Sequence, residues 1–570
     1  PRPSEVLAGR GELKPAKITG MPLVGKVGRK SWRTRVAMGV VYLLLILGAI
    51  TTVTPFLIMA TTGFKGPTDQ NDNRLIPAYW QDTAELAAKY RDDKYAGNMS
   101  LMDSTAIGDA ASPEVVEAYR DFLMTLPVDQ WQAAFRTPSN NVTSRTDQRY
   151  QAWLREKYGT LDAVNRAYNE ISGAFQQITP PAERFDTKGW RPKGDQKWQD
   201  WLEFKATLPV EFRIPLREER LYQEWMRLKF ENQFDRVPAG AKGSATKFEE
   251  LRLDLAGEFR PTFRAEALPA TFAQTGSIEE RWARLQPGEP LPIRAEEAGW
   301  VAAHAAEIRG EFTWRNYRYV FDYMAINGRA LVNTALFCLL TIAIQLTVNP
   351  LAAYALSRFP MKATAKILLF LLATMAFPAE VAMIPSFLLL KELGLLNTFA
   401  ALVLPAAASG YMIYLLKGFF DSLPQEVFES GQIDGAPEWK MMLKIAFPLS
   451  KPVLGYLALL AFMGAYGAFL YAFLVAQDRD MWTLMVFIYQ LQQVAPKAVM
   501  MAAVTLAALP TLIVFLLCQR VIMRGIVLPG EREGFGPGSR ASGFTIRRPR
   551  CRWLRASQTP PRGQSRSRSR

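Results

Sequence analysis

The chain has 570 residues, a formal net charge of +15 and 49% hydrophobic residues. Three cysteines are too few for a disulfide-stabilised scaffold, and a single histidine argues against a histidine-based metal or catalytic centre. Residues 61–328 carry 35 basic and 40 acidic side chains, a net of −5, so the remainder carries +20 together with long uncharged apolar runs. These two compositions exclude a single soluble domain and a short peptide.

The first apolar run covers residues 36–60 and follows a basic N-terminal segment, residues 1–35. The run contains no charged side chain and is longer than the apolar region of a signal peptide, so it predicts a transmembrane helix. We expect this helix to continue through Pro55. The chain does not begin with Met, so the sequence leaves open what precedes Pro1.

Residues 61–328 are too polar for lipid and too rich in Trp and Tyr for a disordered linker. Apolar and aromatic side chains recur there at helical spacing, which predicts a mostly helical inserted domain. Two internal alignments indicate a duplicated helical unit. The aligned pairs are 121–128 with 203–210, and 150–158 with 222–230.

Five further apolar runs follow this domain, at residues 330–356, 365–390, 399–420, 452–476 and 498–522. With the first run they predict six transmembrane helices and therefore an all-α polytopic membrane protein. Lys and Arg are concentrated after the second, fourth and sixth runs, so both termini are expected in the cytoplasm and the inserted domain outside. The alternative is that some runs are buried helices of a soluble core.

The charged segment between the fourth and fifth runs is the most informative part of the sequence. Pro424 suits the start of a short helix, and Gly435 suits its end, where a left-handed backbone favours glycine. A second short helix around Trp439 follows, and Pro448 is expected to break the chain before the fifth span. We expect an L-shaped pair of helices at the cytoplasmic surface, which would transmit force from a soluble partner.

This segment resembles the cytoplasmic signature of permeases of ATP-binding-cassette (ABC) importers, in which Glu-Ala-Ala, Gly, Ile and Leu-Pro stand at fixed spacing. Here the signature is Glu429-Ser430-Gly431, Gly435, Ile445 and Phe447-Pro448, with small residues in place of both alanines. Flanking segments resemble the carbohydrate-type permeases, and in particular the six-span partner of the maltose and glycerol-3-phosphate systems. Those segments are Asn333–Leu336, Ala352–Phe359, Ile384-Pro385, Leu393–Thr398 and Ile433–Ala436.

The resemblance covers the first span and about residues 312–530, and it implies the type I importer permease fold with residues 329–530 as the permease core. It also implies a bacterial inner-membrane location, with four kinds of contact: a second permease subunit, a dimer of ATPase subunits, an external solute-binding protein and the lipid bilayer. No cofactor, metal or specific nucleic acid is expected, and no catalytic residue. The chain has no Gly-x-x-x-x-Gly-Lys-Ser/Thr loop, so ATP hydrolysis is expected on the separate subunit. The implied ATPase-coupling residues are Glu426, Glu429, Ser430, Gly431, Asp434, Gly435, Ala436, Ile445 and Pro448.

A sugar or related polyol is the solute class that the resemblance implies. The amide and acid that the family often carries in span five are replaced here by Tyr466-Gly467-Ala468-Phe469. Tyr466 and Phe469 either stack against a sugar face or simply pack. Gln345 and Asn349 in span two either line the path or make hydrogen bonds between helices.

Residues 61–328 are absent from the typical member of this family. We expect them to dock the solute-binding protein or to cap the pore entrance; a passive spacer is the alternative. Two other functions stay open: a membrane-tethered sugar-processing enzyme, which needs a carboxylate pair in this domain, and a transporter-like sensor on a degenerate pore. Residues 531–570 form a basic tail, with ten Arg and no acid from Arg540 onward, and predict a disordered segment, either merely solvated or bound to anionic lipid or RNA.

Overall fold

The computed structural model describes residues 32–524. Within that range it leaves out residues 136–142, 185–189, 191, 269, 327–328, 360 and 377. Most of the predicted N-terminal basic segment and the whole predicted basic tail lie outside the described residues.

The described chain is largely helical. Up to the second predicted span the α-helices are α1 (Trp32–Thr62), α2 (Thr83–Lys94), α3 (Met99–Ser104), α4 (Pro113–Thr125), α5 (Arg145–Tyr158), α6 (Leu161–Tyr168), α7 (Gln196–Ala206), α8 (Glu218–Lys229), α9 (Ala239–Lys242), α10 (Phe259–Glu266), α11 (Ala270–Thr275), α12 (Ile278–Leu285), α13 (Ile293–Ala303) and α14 (Ala305–Phe321). They continue as α15 (Ala330–Arg358), α16 (Thr364–Thr374), α17 (Ala379–Glu392), α18 (Phe399–Val403), α19 (Gly410–Asp421), α20 (Gln425–Ile433), α21 (Glu438–Met441), α22 (Phe447–Leu449), α23 (Lys451–Tyr466), α24 (Leu470–Val475), α25 (Leu484–Gln492) and α26 (Lys497–Arg524).

Short elements connect these helices. Two antiparallel strands, β1 (Trp131–Gln132) and β2 (Ile214–Pro215), pair Trp131 with Pro215 and Gln132 with Ile214. Asp322–Ile326 and Met442–Ala446 are π-helical turns. The 3₁₀ turns are Ala78–Trp80, Phe175–Gln177, Val210–Phe212, Phe234–Arg236, Phe248–Glu250, Leu253–Leu255, Leu404–Ala406 and Arg479–Met481.

Three of the six predicted spans are single long helices, α1, α15 and α26, each apolar enough to cross a bilayer. The first continues through Pro55 to Thr62, as predicted. The apolar side chains of α1 are mostly exposed, although the helix contacts α26 and its last turn, residues 58–62, is half-buried or buried.

The other predicted spans are interrupted. In the fourth predicted span, Phe399–Ala406 meets α19 at 51°. Glu438–Leu449 meets α23 at 82° just before the fifth, which is itself broken between α23 and α24. The third predicted span consists of two shorter helices, α16 and α17, and Pro378 directly precedes the second of them. Among the described residues, three helices are long and apolar enough to cross a membrane, or up to five if each bent pair is one span. The count of six stays a prediction.

The predicted duplication in residues 61–328 is confirmed by equivalent contacts. Tyr150 and Trp153 on α5 stack with ring centroids 6.2 Å apart, and Tyr222 and Trp225 on α8 stack at 6.3 Å. The residue after each Tyr donates through Nε2 to the backbone carbonyl that directly follows a 3₁₀ turn. Gln151 donates to Ile178 at 3.1 Å, and Gln223 donates to Leu251 at 2.9 Å. The aligned residues therefore do the same structural work in both units.

A third unit, formed by α10 and α12, completes the array. The three units pair α4 with α5, α7 with α8, and α10 with α12. The first helix of each later unit packs on the second helix of the unit before it. The ring centroid of Phe204 lies 5.2 Å from that of Tyr150, and the ring centroid of Phe263 lies 5.5 Å from that of Tyr222. Tyr119, on the first helix of the first unit, lies 5.6 Å from the ring of Trp282 on the last helix. The three helix pairs therefore close on one another around a single apolar core. A closed array needs no terminal capping repeat.

A buried ion pair joins the first two units. Lys205 on α7 contacts Glu183, and both side chains are buried. The second carboxylate oxygen of Glu183 accepts from the backbone N–H groups of Ala133 and Ala134 at 2.9 and 3.2 Å. Because hydrogen bonds engage both oxygens, this buried charge is compensated.

The inserted domain begins and ends at adjacent points, as an insertion requires. Arg309 Nε on α14 donates to the carbonyl of Tyr79 at 3.1 Å, and Trp80 Nε1 donates to Thr313 Oγ1 at 2.9 Å. The hydroxyl of Tyr317 donates to the carbonyl of Ala60 near the end of α1 at 2.7 Å. The start of the domain and its exit helix α14 therefore lie side by side at the end of the first span.

A second group of contacts, the insertion junction (Arg155, Gln177, Asp322, Tyr323 and Arg479), ties the helical array of the domain to its own last turn before α15 and, through Arg479, to the rest of the chain. Arg155 Nη2 lies 3.0 Å from Asp322 Oδ2, and Gln177 Nε2 donates to the Tyr323 hydroxyl at 3.3 Å. The Arg479 guanidinium, in the loop after α24, lies 5.5 Å from the centre of the Tyr323 ring. The domain is thus attached both to the π turn before α15 and to the loop after α24.

The closed array makes a stability prediction. Trp282→Ala opens a cavity between the third and first units and should lower the free energy of unfolding of the domain by about 3–5 kcal/mol. Trp225→Ala, which opens the equivalent cavity between the second and third units, should cost a similar amount. The measurement is tryptic cleavage of the purified full chain as temperature rises. Cleavage of Trp282→Ala confined to residues 278–303, with the first two units still protected, would mean that the array is open.

Candidate functional site

The short helix α20 forms as the sequence predicts. Pro424 precedes its first residue, and Gly435 lies just past its end with φ of +70°. The Gly435 N–H donates to the carbonyl of Gln432 at 2.9 Å, and the Ala436 N–H donates to that of Gly431 at 3.0 Å. This pair of bonds is a Schellman motif, which satisfies the last carbonyls of the helix and requires a left-handed residue.

The second arm of the predicted L runs from Glu438 to Leu449 and packs against α20. A Cβ at Gly431 would lie 3.2 Å from Met441 Sδ and 3.4 Å from Ile445 Cδ1, so glycine permits the close approach of the two arms. The break before span five falls at Ser450 instead of Pro448, which lies within the last helical turn. Pro448 occupies the start of that turn, where its missing N–H costs little.

Two contacts attach this pair of helices to the end of the second span. The Arg358 guanidinium lies 3.5 Å from the centre of the Phe428 ring on α20 and donates to the carbonyl of Phe420 at 2.9 Å. The Tyr354 hydroxyl donates to Glu438 Oε2 at 2.9 Å. The sequence does not predict these contacts, because Arg358 contributes there only to the Lys and Arg bias and to the flanking segment Ala352–Phe359.

The opposite face of the pair is open. Of the predicted coupling residues, Glu426, Glu429, Ser430, Asp434, Gly435 and Pro448 are exposed, Ala436 and Ile445 are half-buried, and Gly431 is buried. Two large apolar side chains outside the predicted coupling set lie beside them: Ile433 is 86% exposed and Trp439 63% exposed. We call the exposed set Glu426, Glu429, Ser430, Ile433, Asp434 and Trp439 the coupling surface. Its exposed apolar side chains, rimmed by acids, are typical of a protein-binding site.

The two amide candidates in span two are engaged between helices. Gln345 Nε2 donates to the carbonyl of Ala406 at 2.7 Å, and Asn349 Oδ1 accepts from the N–H of Ser409 at 2.8 Å. Both bonds are made where the fourth span is bent, so they satisfy backbone groups that the bend releases. The Gln345 side-chain oxygen is buried and has no hydrogen-bond partner among the described residues.

The two aromatic candidates lie at a break in span five, because α23 ends at Tyr466 and α24 begins at Leu470. The Tyr466 hydroxyl donates to the carbonyl of Ala507 on α26. Phe469 is half-buried, with its ring centroid 5.1 Å from that of Tyr489. Among the described residues, no hydrogen bond or ring contact joins Tyr466 or Phe469 to the two span-two amides.

Asp200, a buried acid of the inserted domain, is saturated by hydrogen bonds that pack the domain. Asp200 accepts from the hydroxyls of Tyr158 and Tyr168 at 2.6 and 2.9 Å, and from Gln196 and Lys157. Desolvation opposes ionisation of this carboxyl, but these hydrogen bonds outweigh it and hold the pKa of Asp200 below its ordinary value. A permanently ionised, saturated carboxylate is a poor general acid. No cluster of three metal-ligating side chains occurs in the described part of the chain.

The segment that carries the coupling surface, with the helices on both sides of it, matches a known protein family. Residues 349–527 match the family described as "Binding-protein-dependent transport system inner membrane component". Protein LplC of Bacillus subtilis is 31% identical over 233 residues, which cover 38% of this chain and 78% of LplC. This chain belongs to that permease family. It is a multi-pass membrane protein and the permease subunit of a binding-protein-dependent ABC importer.

Other relatives have transport functions in their names. The diacetylchitobiose uptake system permease protein NgcG of Streptomyces coelicolor is 30% identical over 239 residues, covering 39% of this chain and 79% of that protein. The sn-glycerol-3-phosphate transport system permease protein UgpE of Pectobacterium atrosepticum is 31% identical over 231 residues, covering 39% and 82%. These similarities favour the permease over the tethered enzyme and the sensor. Residues 61–328 lie outside the family match.

The attachment of α20 makes a prediction for this permease. Arg358→Ala removes the contact with the Phe428 ring and the bond to the Phe420 carbonyl, so α20 should move less with span two. We expect a several-fold lower ratio of solute uptake to ATP hydrolysis in the reconstituted importer, with normal assembly. The control is Lys417→Ala, which removes a partly exposed i, i+4 pair with Asp421 worth about 0.3–0.5 kcal/mol and should change neither rate. An unchanged ratio in Arg358→Ala would exclude this attachment from coupling.

Proposed function

We propose that this chain is one of two pore-forming subunits of an inner-membrane importer for a sugar or related polyol, driven by a separate ATPase dimer. The observation that carries the proposal is the coupling surface, which is open to a partner on one side and fixed to the second span on the other. The names of NgcG, a diacetylchitobiose uptake permease, and UgpE, an sn-glycerol-3-phosphate transport permease, support the solute class.

The geometry supports a direct mechanical route from ATPase to pore. The coupling surface is proposed to sit in a cleft of the ATPase subunit, so closure of the ATPase dimer displaces α20. Arg358 and Tyr354 transmit that displacement to α15, and the 82° corner at Ser450 transmits it to α23. The spans then rock between inward-facing and outward-facing arrangements, as packed helices do in transporters.

The solute path is proposed to pass the interrupted helices of spans four and five. Discontinuous helices near the membrane centre are where transporters commonly build solute sites, because released backbone groups can face the path. The unpartnered oxygen of Gln345 and the half-buried ring of Phe469 are the path-facing groups we favour. Asn349 and Tyr466 hold the bends, because both are already engaged with backbone.

Six spans with both termini in the cytoplasm are the topology we propose, with α16 and α17 together as the third span. Contacts at the two ends of α15 are consistent with two opposite membrane faces. Arg358 meets α20 on one face, whereas Asn333 Nδ2 on α15 donates to the carbonyl of Asp480 at 2.7 Å on the other. The Lys and Arg bias identifies the first as cytoplasmic. The boundaries 1–35, 36–60, 61–328, 329–530 and 531–570 follow from that topology.

The inserted domain is proposed to dock the solute-binding protein or to cap the pore entrance. Its attachments to the membrane helices, from Tyr317 to the end of α1 and from Tyr323 to Arg479, support a fixed position, which we propose is on the external face. A passive spacer needs neither the second attachment nor a closed core. Because Arg479 follows α24 and contacts Tyr323 of the domain, a partner on the domain is proposed to influence the pore entrance through this contact.

Coupling is tested at Gly435. Gly435→Val forces a β-branched residue into a left-handed backbone, so we expect α20 to lose its end geometry and ATP hydrolysis to continue with little solute uptake. No atom lies within 4 Å of the added Cβ, so the effect comes from the backbone and not from a clash within the chain. The matched control is Gly394→Val, with φ of +66° and equally open surroundings after α17. Equal losses in both variants would mean that backbone strain alone, and not the coupling surface, is responsible.

Topology is tested by cysteine labelling in a chain whose native cysteines are replaced. Ile171→Cys, at a fully exposed position of the inserted domain, should react with an impermeant maleimide in intact spheroplasts. Ser422→Cys, beside α20, should react only after permeabilisation. Ser139, a second external position, lies outside the described residues. The reverse pattern would overturn both the orientation and the site of ATPase contact.

The role of the inserted domain is tested by excision. Replacing residues 83–303 with a short flexible linker joins points that are already adjacent, so the importer should still assemble. We expect the affinity for the cognate solute-binding protein to fall at least several-fold, measured by surface plasmon resonance on the importer in nanodiscs. Unchanged affinity and uptake would support the passive spacer. Glycoside hydrolysis by the intact chain that disappears on excision would favour the enzyme alternative.

A further inference from the structure

One face of α14 carries large apolar side chains that the described residues leave about half exposed. Trp314 is 51% exposed and Phe321 53% exposed, and they lie two helical turns apart. Arg318, between them on the same face, is also exposed. The opposite face is buried, through Phe312, Asn316, Tyr319 and Val320. The helix therefore has a built inner face and an apolar outer face with one cation.

The exposed face begins where the first span ends. Phe64, two residues after α1, lies 5.7 Å from the Trp314 ring and 4.9 Å from the Tyr317 ring. Trp80 joins the same cluster, with its ring 5.6 Å from Phe64. Trp and Tyr collect at the boundary between hydrocarbon and water, because their rings are apolar and their N–H or O–H groups are polar. This cluster lies at the end of an apolar helix long enough to cross a bilayer, which is where such a boundary is expected.

The neighbouring loop extends the apolar surface. Leu75 and Ile76 are exposed and directly precede the 3₁₀ turn Ala78–Trp80, which is bonded to α14 through Thr313. Lys65 is withdrawn from this surface: it is buried and contacts Asp72. The outward cation is Arg318, whose long side chain can keep its charge at the phosphate level while its stem lies along apolar groups.

We propose that α14 and Leu75–Trp80 form an interfacial anchor that rests on the bilayer, with Trp314 and Phe321 at the acyl–headgroup boundary and Arg318 on lipid phosphate. Continuity with α1 selects lipid as the occupant, because α1 exposes apolar side chains over most of its length, up to Leu57 one turn before its end. Placement in the outer leaflet rests on the topology proposed above, whereas the lipid contact rests on α1 alone. The anchor fixes the height of the inserted domain above the membrane.

The test uses the assembled importer in phosphatidylethanolamine–phosphatidylglycerol nanodiscs. Cys338, Cys518 and Cys551 are replaced by Ser, and single nitroxide labels are attached to cysteines at 307, 314, 318 or 321. Collisions with oxygen report lipid, and collisions with a water-soluble nickel chelate report water. We expect oxygen to dominate at 314 and 321 and nickel to dominate at Glu307→Cys, the exposed control on the same helix, so that the ratio reverses within two turns.

Two outcomes would overturn the anchor. Nickel-dominated collisions at 314 and 321 would place the face in water. Protection from both reagents in the importer, but not in the isolated chain, would mean that another protein subunit covers it. Capture of a photoactivatable phospholipid on the α14 peptide of the unmodified chain provides the same answer without substitution. Failure of coupling in Gly435→Val leaves both readouts unchanged, so this proposal and the proposed function fail separately.

Discussion

The stacking of the Arg358 guanidinium on the Phe428 ring is the contact on which the coupling mechanism depends. An exposed helix transmits a displacement from a partner only if the rest of the chain holds it in place. The helix α20 has nine residues, and its outer side is exposed. The ring contact, the bond from Arg358 to the Phe420 carbonyl and the bond from Tyr354 to Glu438 fix it from the inner side. A cation on an aromatic face and charge-assisted hydrogen bonds resist sliding because each has directional preference.

The same principle of two-point attachment applies at the other end of the molecule. The inserted domain has a closed core of three helix pairs, so it does not depend on the membrane helices for its own packing. It is nevertheless held to them at two points, where Tyr317 donates to the Ala60 carbonyl and where Arg479 packs on the Tyr323 ring. A rigid domain with two attachments transmits a displacement, whereas a domain on one flexible linker absorbs it. This distinguishes the proposed docking role from a spacer.

How far the sequence could predict this structure varied with the range of the interactions. The turn at Gly435 and the spacing of the signature are local, and both were predicted. The first two repeat units were found because their aromatic residues keep the same spacing within each helix. The third was missed because Glu279 stands where Tyr150 and Tyr222 stand, although Leu126-Pro127, Leu208-Pro209 and Leu268-Pro269 follow the first helix of every unit. The interruptions in spans three to five were missed because mean hydropathy does not register a bend, and the partners of Gln345 and Asn349 are backbone groups that only the bend exposes.

The most direct test of the account is to identify what touches the coupling surface in the assembled importer. A photo-crosslinking phenylalanine derivative at Ile433, the most exposed apolar residue of that surface, should capture the ATPase subunit on illumination, and the yield should change when ATP binds. The same derivative at Ile384 on α17, the same residue type and 65% exposed, should capture no ATPase. Capture of lipid or of the second permease at Ile433, with no ATPase adduct in either nucleotide state, would contradict the central claim.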